Sequence, residues 1–309
     1  MNDIILHHYA LSPFSEKIRT MLGYKQLAWK SVTQPAVMPK PDLLPLTGGY
    51  RKAPVMQIGR DIYCDTALMS RVIERLQPQR PLLSAPLRAS CAAFASLEQT
   101  LFLASIPVVF QPAGMKVIIK RLGAEVFERF RQDRAALFTG GIAPWPNAEF
   151  SKIHFLPLIN ALDLQLAAGP FLLGEAPTLA DFICYHPVWF VLSNPGVAGQ
   201  LAAFKNLLAW AERVRGFGHG TPTELDAADA VAIARSTAQG QPFDGPLLEP
   251  EKFKLGQTVS VSATDYGCEP VIGTLLHASV FELAIKRQDE RAGEIIVHFP
   301  RQGFKVAAV

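Results

Sequence analysis

The chain has 309 residues, of which 49% are hydrophobic, and its formal net charge is +3 at pH 7. This length and apolar content predict two or three domains with sizeable cores, and they exclude an intrinsically disordered chain. So small a net charge gives no electrostatic reason to expect binding to nucleic acid or to a membrane surface.

The chain begins with an apolar run, residues 4–9, that is typical of a buried strand. Ser12 and Pro13 follow, and these residue types are preferred at the N-cap and at the first position of a helix. A helix N-terminus carries free N–H groups and a partial positive charge, which stabilise an anion such as a thiolate. Ser12 is therefore either a plain helix cap or the hydroxyl of an anion site, with Ser15 as the second choice one turn further on.

A second apolar strand begins at Lys52, Ala53 and Pro54, and a proline in that place belongs at a sheet edge or in a turn. If the Ala53–Pro54 bond were cis it would expose the backbone of Ala53 to a ligand, although trans is the default from sequence. After a glycine-containing hairpin, Asp65 and Thr66 begin an amphipathic helix that ends before the next proline.

The order of these elements resembles the thioredoxin-like α/β N-terminal domain of glutathione transferases, over residues 1–78. A Pro-bounded linker, residues 79–86, leads to residues 87–220, which read as a set of helices and resemble the all-helical second domain of that family. Within it, Thr178 and Asp181 have the spacing of a capping box, in which each side chain bonds the backbone N–H of the other. That motif is structural.

The resemblance implies a cytoplasmic homodimeric enzyme that uses glutathione as co-substrate. Ser12 would donate a hydrogen bond to the thiolate of glutathione, and the backbone of Ala53 would pair with its cysteinyl part. Asp65 and Thr66 would hold the ammonium and the carboxylate of the γ-glutamyl end. The remaining residues of the predicted site are Phe14, Lys52 and Pro54. A small hydrophobic electrophile would lie in an apolar cleft against the helical domain.

The rest of the chain departs from the family. Residues 221–245 predict an extra helix, over 223–238, and a Pro/Gly linker. In residues 246–309 the hydrophobic period changes to two, which predicts short strands of a small β barrel or sandwich. We expect an independent module that packs on the helical domain and gives no catalytic groups. Its seven basic and eight acidic residues, a net charge of −1, argue against nucleic-acid binding.

Two other functions stay open. A glutathione-dependent thiol transferase would use a cysteine where Ser12 stands, so the serine argues against it. A non-catalytic glutathione-binding or scaffold protein is the second alternative, since fold does not imply function. The seven histidines lack metal-ligand spacing, and no metal is predicted. The four cysteines lack a Cys-x-x-Cys pair and are expected to be reduced thiols. No apolar run is expected to be long enough to span a membrane.

Overall fold

The computed structural model describes residues 3–248 and 253–309. Residues 249–252 of the predicted β module, 246–309, lie outside these residues.

The N-terminal part alternates strands and helices as the sequence predicts. It contains β1 (Ile4–His8), α1 (Pro13–Tyr24), β2 (Ala28–Thr33), α2 (Leu43–Thr47), β3 (Val55–Ile58), β4 (Asp61–Cys64) and α3 (Thr66–Leu76). Strand β1 pairs in parallel with β2 and antiparallel with β3, which in turn pairs antiparallel with β4. This is the thioredoxin-type arrangement, and it places the N-termini of α1 and α3 beside the start of β3.

Six helices form the second part. They are α4 (Arg88–Val109), α5 (Pro112–Leu122), α6 (Ala124–Leu137), α7 (Ala148–Leu166), α8 (Leu179–Leu192) and α9 (Lys205–Arg215). Gly123 has a φ of +84° and separates α5 from α6. Asp181 accepts hydrogen bonds from the backbone N–H of Thr178 at 2.8 Å and from the indole of Trp210 at 2.9 Å, which fixes the start of α8 in the helical core.

One helix among the described residues is long and apolar enough to cross a membrane by length and composition, at Ala85–Val109. This corrects the expectation that no run reaches such a length. Pro107 lies in its last turn and does not shorten it. The buried residues of α4 pack in the helical core against α7 and α8.

The prediction of an extra helix over 223–238 is wrong at the start of that range. The structure has a strand, β5 (Thr221–Glu224), and then α10 (Ala227–Ser236). Strand β5 pairs in parallel with β2 at the edge of the sheet. Thr223 and Glu224, whose local pattern indicated a helix, therefore form a strand because the edge of β2 offers unpaired backbone groups.

The C-terminal strands are β6 (Thr258–Ala263), β7 (Val271–Ala278), β8 (Glu282–Asp289), β9 (Gly293–Pro300) and β10 (Phe304–Ala308). The expected change to strands is therefore confirmed, but they do not form a separate barrel on the helical domain. Strand β9 pairs in parallel with β4, which joins both parts in one ten-stranded sheet of order β10-β6-β7-β8-β9-β4-β3-β1-β2-β5. One hydrophobic cluster accordingly contains Val55 and Ile62 together with Val297 and Phe299.

A buried ionic cluster lies at this seam. His298 on β9 contacts Asp61 on β4 at 2.8 Å through Nε2, and it contacts Glu282 on β8 through Nδ1. All three side chains are buried, and Tyr63 stacks on the imidazole with 4.4 Å between ring centroids. The two carboxylates also accept backbone N–H groups of Gln241 and Asp244, so the cluster fixes the segment that leads into the module.

Candidate functional site

A cavity of about 970 Å³ lies where the three parts of the chain meet. The structure places all the sequence-predicted site residues in its lining: Ser12, Phe14, Lys52, Ala53, Pro54, Asp65 and Thr66. They come from the start of α1, the segment just before β3 and the start of α3, because the sheet topology brings those three chain segments to one edge.

Ser12 is the N-cap of α1. Its Oγ accepts a hydrogen bond from the backbone N–H of Ser15 at 3.1 Å, and no other hydrogen bond to it is formed by the described residues. The hydroxyl proton of Ser12 therefore remains available for an acceptor in the cavity. Ser15 is fully buried, lies outside the cavity lining, and its Oγ has no partner among the described residues.

The loop before Ser12 is held by a residue that the sequence did not single out. The Arg19 guanidinium donates to the carbonyls of Tyr9 at 3.3 Å and Ala10 at 3.0 Å, and it pairs with Glu16 at 2.7 Å. Glu16 also contacts His219, which reaches it from beyond the helical part. The backbone that positions Ser12 is thus fixed from inside the protein.

Asp65 and Thr66 begin α3 with different partners. Asp65 has a φ of +73°, and its carboxylate accepts a hydrogen bond from the N–H of Ala67 at 2.8 Å. Burial raises the pKa of Asp65, although the Lys52 ammonium opposes this. Thr66 Oγ1 accepts from the buried Lys17 ammonium at 3.2 Å, so its own proton is free for a ligand.

Lys17 belongs to a buried cluster that sequence reasoning missed. Its Nζ lies 2.6 Å from Glu98 Oε1 on α4, and the same oxygen lies 2.8 Å from His186 Nε2 on α8. Burial alone would raise the pKa of Glu98, but Lys17 and the His186 hydrogen bond lower it to about 2. Glu98 therefore stays ionised at the cavity wall. The only local signal was its place among apolar residues of a long helix.

Phe14 and the apolar wall connect the two domains. The Phe14 ring packs edge-on against Phe102 at 4.7 Å and lies 4.5 Å from the imidazole of His186. Aromatic and aliphatic side chains of α4, its C-cap, α5 and α6 line the cavity beside them, among them Ile106, Phe110, Ile118, Phe127 and Phe130. This part of the cavity suits an apolar ligand. The same helices also place the charged side chains of Arg121, Arg131 and Arg134 in the lining.

Lys52 is tied to the C-terminal module. Its Nζ lies 2.7 Å from Asp265 Oδ1 and 4.2 Å from the centroid of the Tyr266 ring. Asp265 and Tyr266 both line the cavity, so the module forms part of its wall. The sequence had predicted no part for the module here. The Ala53–Pro54 bond beside Lys52 is cis.

Comparisons with known proteins agree with this architecture. Residues 6–81 match the family model described as the N-terminal domain of glutathione S-transferase, and residues 146–213 match the model for its C-terminal domain. A solved structure of a GST-like protein from Pseudomonas syringae is 38% identical, with a TM-score of 0.81, and the match covers 100% of both chains. The chain therefore belongs to the glutathione S-transferase family.

More distant structures share the fold over part of the chain. Glutathione S-transferase III in apo form is 21% identical with a TM-score of 0.51, over 69% of this chain and 91% of its own. A glutathione S-transferase from Rhodospirillum rubrum F11 is 19% identical with a TM-score of 0.50, over 69% and 87%. The unmatched share is about as long as the segment after α9. No curated protein matches the sequence.

Proposed function

We propose that this protein is a glutathione transferase in which the Ser12 hydroxyl activates the thiol of glutathione for attack on a small hydrophobic electrophile. The observation that carries the proposal is the Ser12 hydroxyl itself. It lines the cavity at the N-terminus of α1, and its oxygen accepts from Ser15 while its proton is free.

The activation follows from ordinary acid–base chemistry. The glutathione thiol resembles that of cysteine, with a pKa of about 8.5, so it is mostly protonated at neutral pH. A hydrogen bond from Ser12 and the positive end of the α1 dipole both favour the thiolate. The thiolate is the nucleophile, and a lower pKa raises the fraction of it that is present at neutral pH.

The charges near α3 suit the two ends of the γ-glutamyl group. Its carboxylate would accept the Thr66 hydroxyl proton, and the nearby Lys17 ammonium adds a favourable charge. Its ammonium would face Asp65, with the ionised Glu98 as a second anion in the wall. The backbone of Ala53 would pair with the cysteinyl part, beside Pro54 and Lys52.

The apolar wall supports the assignment of a hydrophobic electrophile next to Phe14. None of the four cysteines lines the cavity, and three of them are buried, which disfavours a thiol transferase that needs a cysteine nucleophile. We also propose that the protein is a cytoplasmic homodimer, as the family resemblance implies; light scattering would measure the mass in solution.

One combined experiment tests the function. Calorimetric titration with glutathione distinguishes a glutathione-binding protein from a scaffold that has lost the site. Turnover of aryl halides, hydroperoxides and mixed disulfides then separates conjugation, peroxidase and thiol-transfer chemistry. We expect binding with conjugation. Binding without any turnover would favour the non-catalytic alternative, and absence of binding would overturn the proposal.

A further inference from the structure

Part of the cavity lining is exposed to solvent, and this exposed part is the mouth of the cavity. Three large apolar side chains lie there: Val126, Ile142 and Trp145. Ile142 is 84% exposed and Trp145 is 54% exposed. One exposed apolar residue is ordinary, but three around a single apolar cavity are typical of an interaction surface.

The backbone beneath two of these side chains is fixed. The N–H of Ile142 donates to a carbonyl of the C-terminal module at 3.0 Å. A Cβ atom placed on Gly141 would lie 1.7 Å from a backbone oxygen of the module, so the two backbones touch here. The Trp145 ring packs edge-on against Phe138 with 5.4 Å between centroids. The apolar side chains at the mouth are therefore held in their exposed positions by packing behind them.

The positive charge of the chain is concentrated at the same place. Residues 112–147, which comprise α5, α6 and the loop that follows, contain six basic and three acidic residues and have a net charge of +3. The whole chain also has a net charge of +3, so the remaining residues are neutral overall. The six basic residues are Lys116, Lys120, Arg121, Arg129, Arg131 and Arg134. The charge of the whole chain gave no reason to expect a charged partner, but its distribution does.

Most of these cations are open to solvent. Arg131 pairs with Glu128 and Arg134 pairs with Asp133. The other four basic side chains are exposed, and none of them forms an ion pair with a described residue. One of them, Arg121, lines the cavity at its mouth. The mouth is thus a rim of fixed apolar side chains beside uncompensated positive charge.

This combination indicates a lipid surface as the partner. Tryptophan is enriched where a membrane meets water, and basic side chains are attracted by anionic head groups. Helices with an apolar face and a face rich in lysine and arginine lie in that interface. The core of a protein–protein interface is instead depleted of charged residues.

We propose that the mouth of the cavity docks on the surface of an anionic lipid bilayer. Val126, Ile142 and Trp145 enter the head-group region, and the cations of α5 and α6 contact lipid phosphates. The inference goes beyond the proposed function and does not depend on it. A docked cavity opens toward the bilayer, so an apolar compound dissolved in the lipid reaches it without crossing water.

Sedimentation of the full-length protein with vesicles tests this docking. The vesicles are made of phosphatidylcholine, with or without phosphatidylglycerol. We expect binding to the anionic vesicles, little binding to the neutral ones, and release as the salt concentration rises. Lipids brominated in the acyl chains should quench the tryptophan fluorescence of the wild type more than that of Trp145→Phe.

A charge variant separates the local charge from the total charge. The double variant Lys120→Gln and Arg121→Gln removes two exposed cations of α5. Each basic residue near an anionic surface contributes about fivefold, so binding should weaken by about 25-fold. The matched control, Arg88→Gln with Lys205→Gln, removes two exposed charges from α4 and α9 outside the cavity lining. Its binding should stay within about twofold of the wild type.

An apolar variant tests the rim itself. Ile142→Ser should weaken binding to the anionic vesicles by about tenfold, because the apolar side chain no longer leaves water on docking. Ile272→Ser is the matched control, since Ile272 is exposed on β7 but lies outside the cavity lining. It should bind like the wild type.

The inference is overturned if the wild type does not bind anionic vesicles at low salt, or if it binds neutral vesicles equally well. Equal losses in the rim variants and their controls would also overturn it. Binding to soluble polyglutamate without binding to vesicles would overturn it in favour of an acidic protein partner. All these measurements are made without glutathione, so their outcome is independent of the proposed function.

Discussion

Two buried histidines in this molecule have carboxylate partners and yet opposite acid–base behaviour. His186, below the cavity, bonds Glu98, which is shared with the Lys17 ammonium. His298, at the seam of the sheet, lies between Asp61 and Glu282, and no described lysine or arginine bonds either carboxylate. Burial lowers the pKa of His186 more than Glu98 raises it, whereas at His298 the two carboxylates outweigh burial and raise the pKa.

The difference teaches that burial alone does not decide the charge of a histidine. The charge of a buried histidine also depends on whether another cation already neutralises its carboxylate partners. At the cavity Lys17 already neutralises Glu98, so His186 stays neutral and offers its ring to Phe14. At the seam the two carboxylates favour the charged form of His298, whose ring contacts link β4, β8 and β9. One cluster serves the site and the other serves the sheet.

Removal of the seam imidazole should have the largest effect on stability. His298→Gln leaves Asp61 and Glu282 buried without their cation, and loss of one partner from a buried ion pair costs about 3–5 kcal/mol. Chemical denaturation should show this decrease in the free energy of unfolding. His277→Gln is the control, since His277 is buried beside the cluster but its Nε2 bonds no described residue. Equal small effects of both variants would contradict the role of His298 at the seam.

On the cavity side, the charge of Asp65 should matter for binding rather than folding. Asp65→Asn keeps a good N-cap but leaves the γ-glutamyl ammonium without its anion, so glutathione should bind more weakly by about 2–5 kcal/mol. Calorimetry measures this change. Asp229→Asn removes the same charge from an exposed helix start outside the cavity and should leave the Kd unchanged. Unaltered affinity in Asp65→Asn would place the γ-glutamyl end elsewhere.

A substitution of Lys17 tests the difference between His186 and His298 directly. In Lys17→Met the Glu98 carboxylate loses its cation, so His186 becomes its main neutralising partner and the pKa of His186 should rise, as at His298. Titration of the imidazole signals by NMR follows this. Lys25→Met is the matched control, since Lys25 is equally buried and pairs with Glu74 at 2.6 Å away from the cavity. An unchanged His186 titration in Lys17→Met would contradict the explanation given for the two histidines.

The smallest effect is the pH dependence of stability. The pKa of His298 is higher in the folded chain than the ordinary 6.5. Its contribution to stability is therefore fully present below about pH 6.5 and is lost as the pH rises through the folded value. Unfolding free energies measured from pH 6 upward should fall with a component that is absent in His298→Gln. Parallel curves for the wild type and the variant would show that His298 is not charged in the folded state.

The sequence was informative where structure is set locally. The N-cap at Ser12, the proline at 54 and the helix start at Asp65 each depend on a few adjacent residues. Their order identified the α/β domain, and all the predicted residues line one cavity. The start of α8 was predictable for the same reason, because the carboxylate of Asp181 accepts the backbone N–H of Thr178 only three residues away.

Long-range pairing was not predictable in the same way. The sequence indicates that 293–300 is a strand, but not that it pairs with 61–64, more than two hundred residues earlier. Strand β5 forms because the edge of β2 is free, and this is a tertiary effect on a segment whose own pattern favoured a helix. The contacts of Lys17 with Glu98, and of Lys52 with Asp265, likewise join residues far apart in the chain. The part of the module in the cavity wall was therefore missed.

The measurement that tests the central claim most directly is the pKa of the thiol of bound glutathione in Ser12→Ala and Ser15→Ala, read from the ultraviolet absorbance of the thiolate. We predict that Ser12→Ala moves this pKa back toward about 8.5 and lowers kcat by about 10²–10³, while the Kd for glutathione stays nearly the same. Ser15→Ala should keep the wild-type thiol pKa, since Ser15 does not line the cavity. Full activity in Ser12→Ala together with loss of activity in Ser15→Ala would contradict the assignment of Ser12.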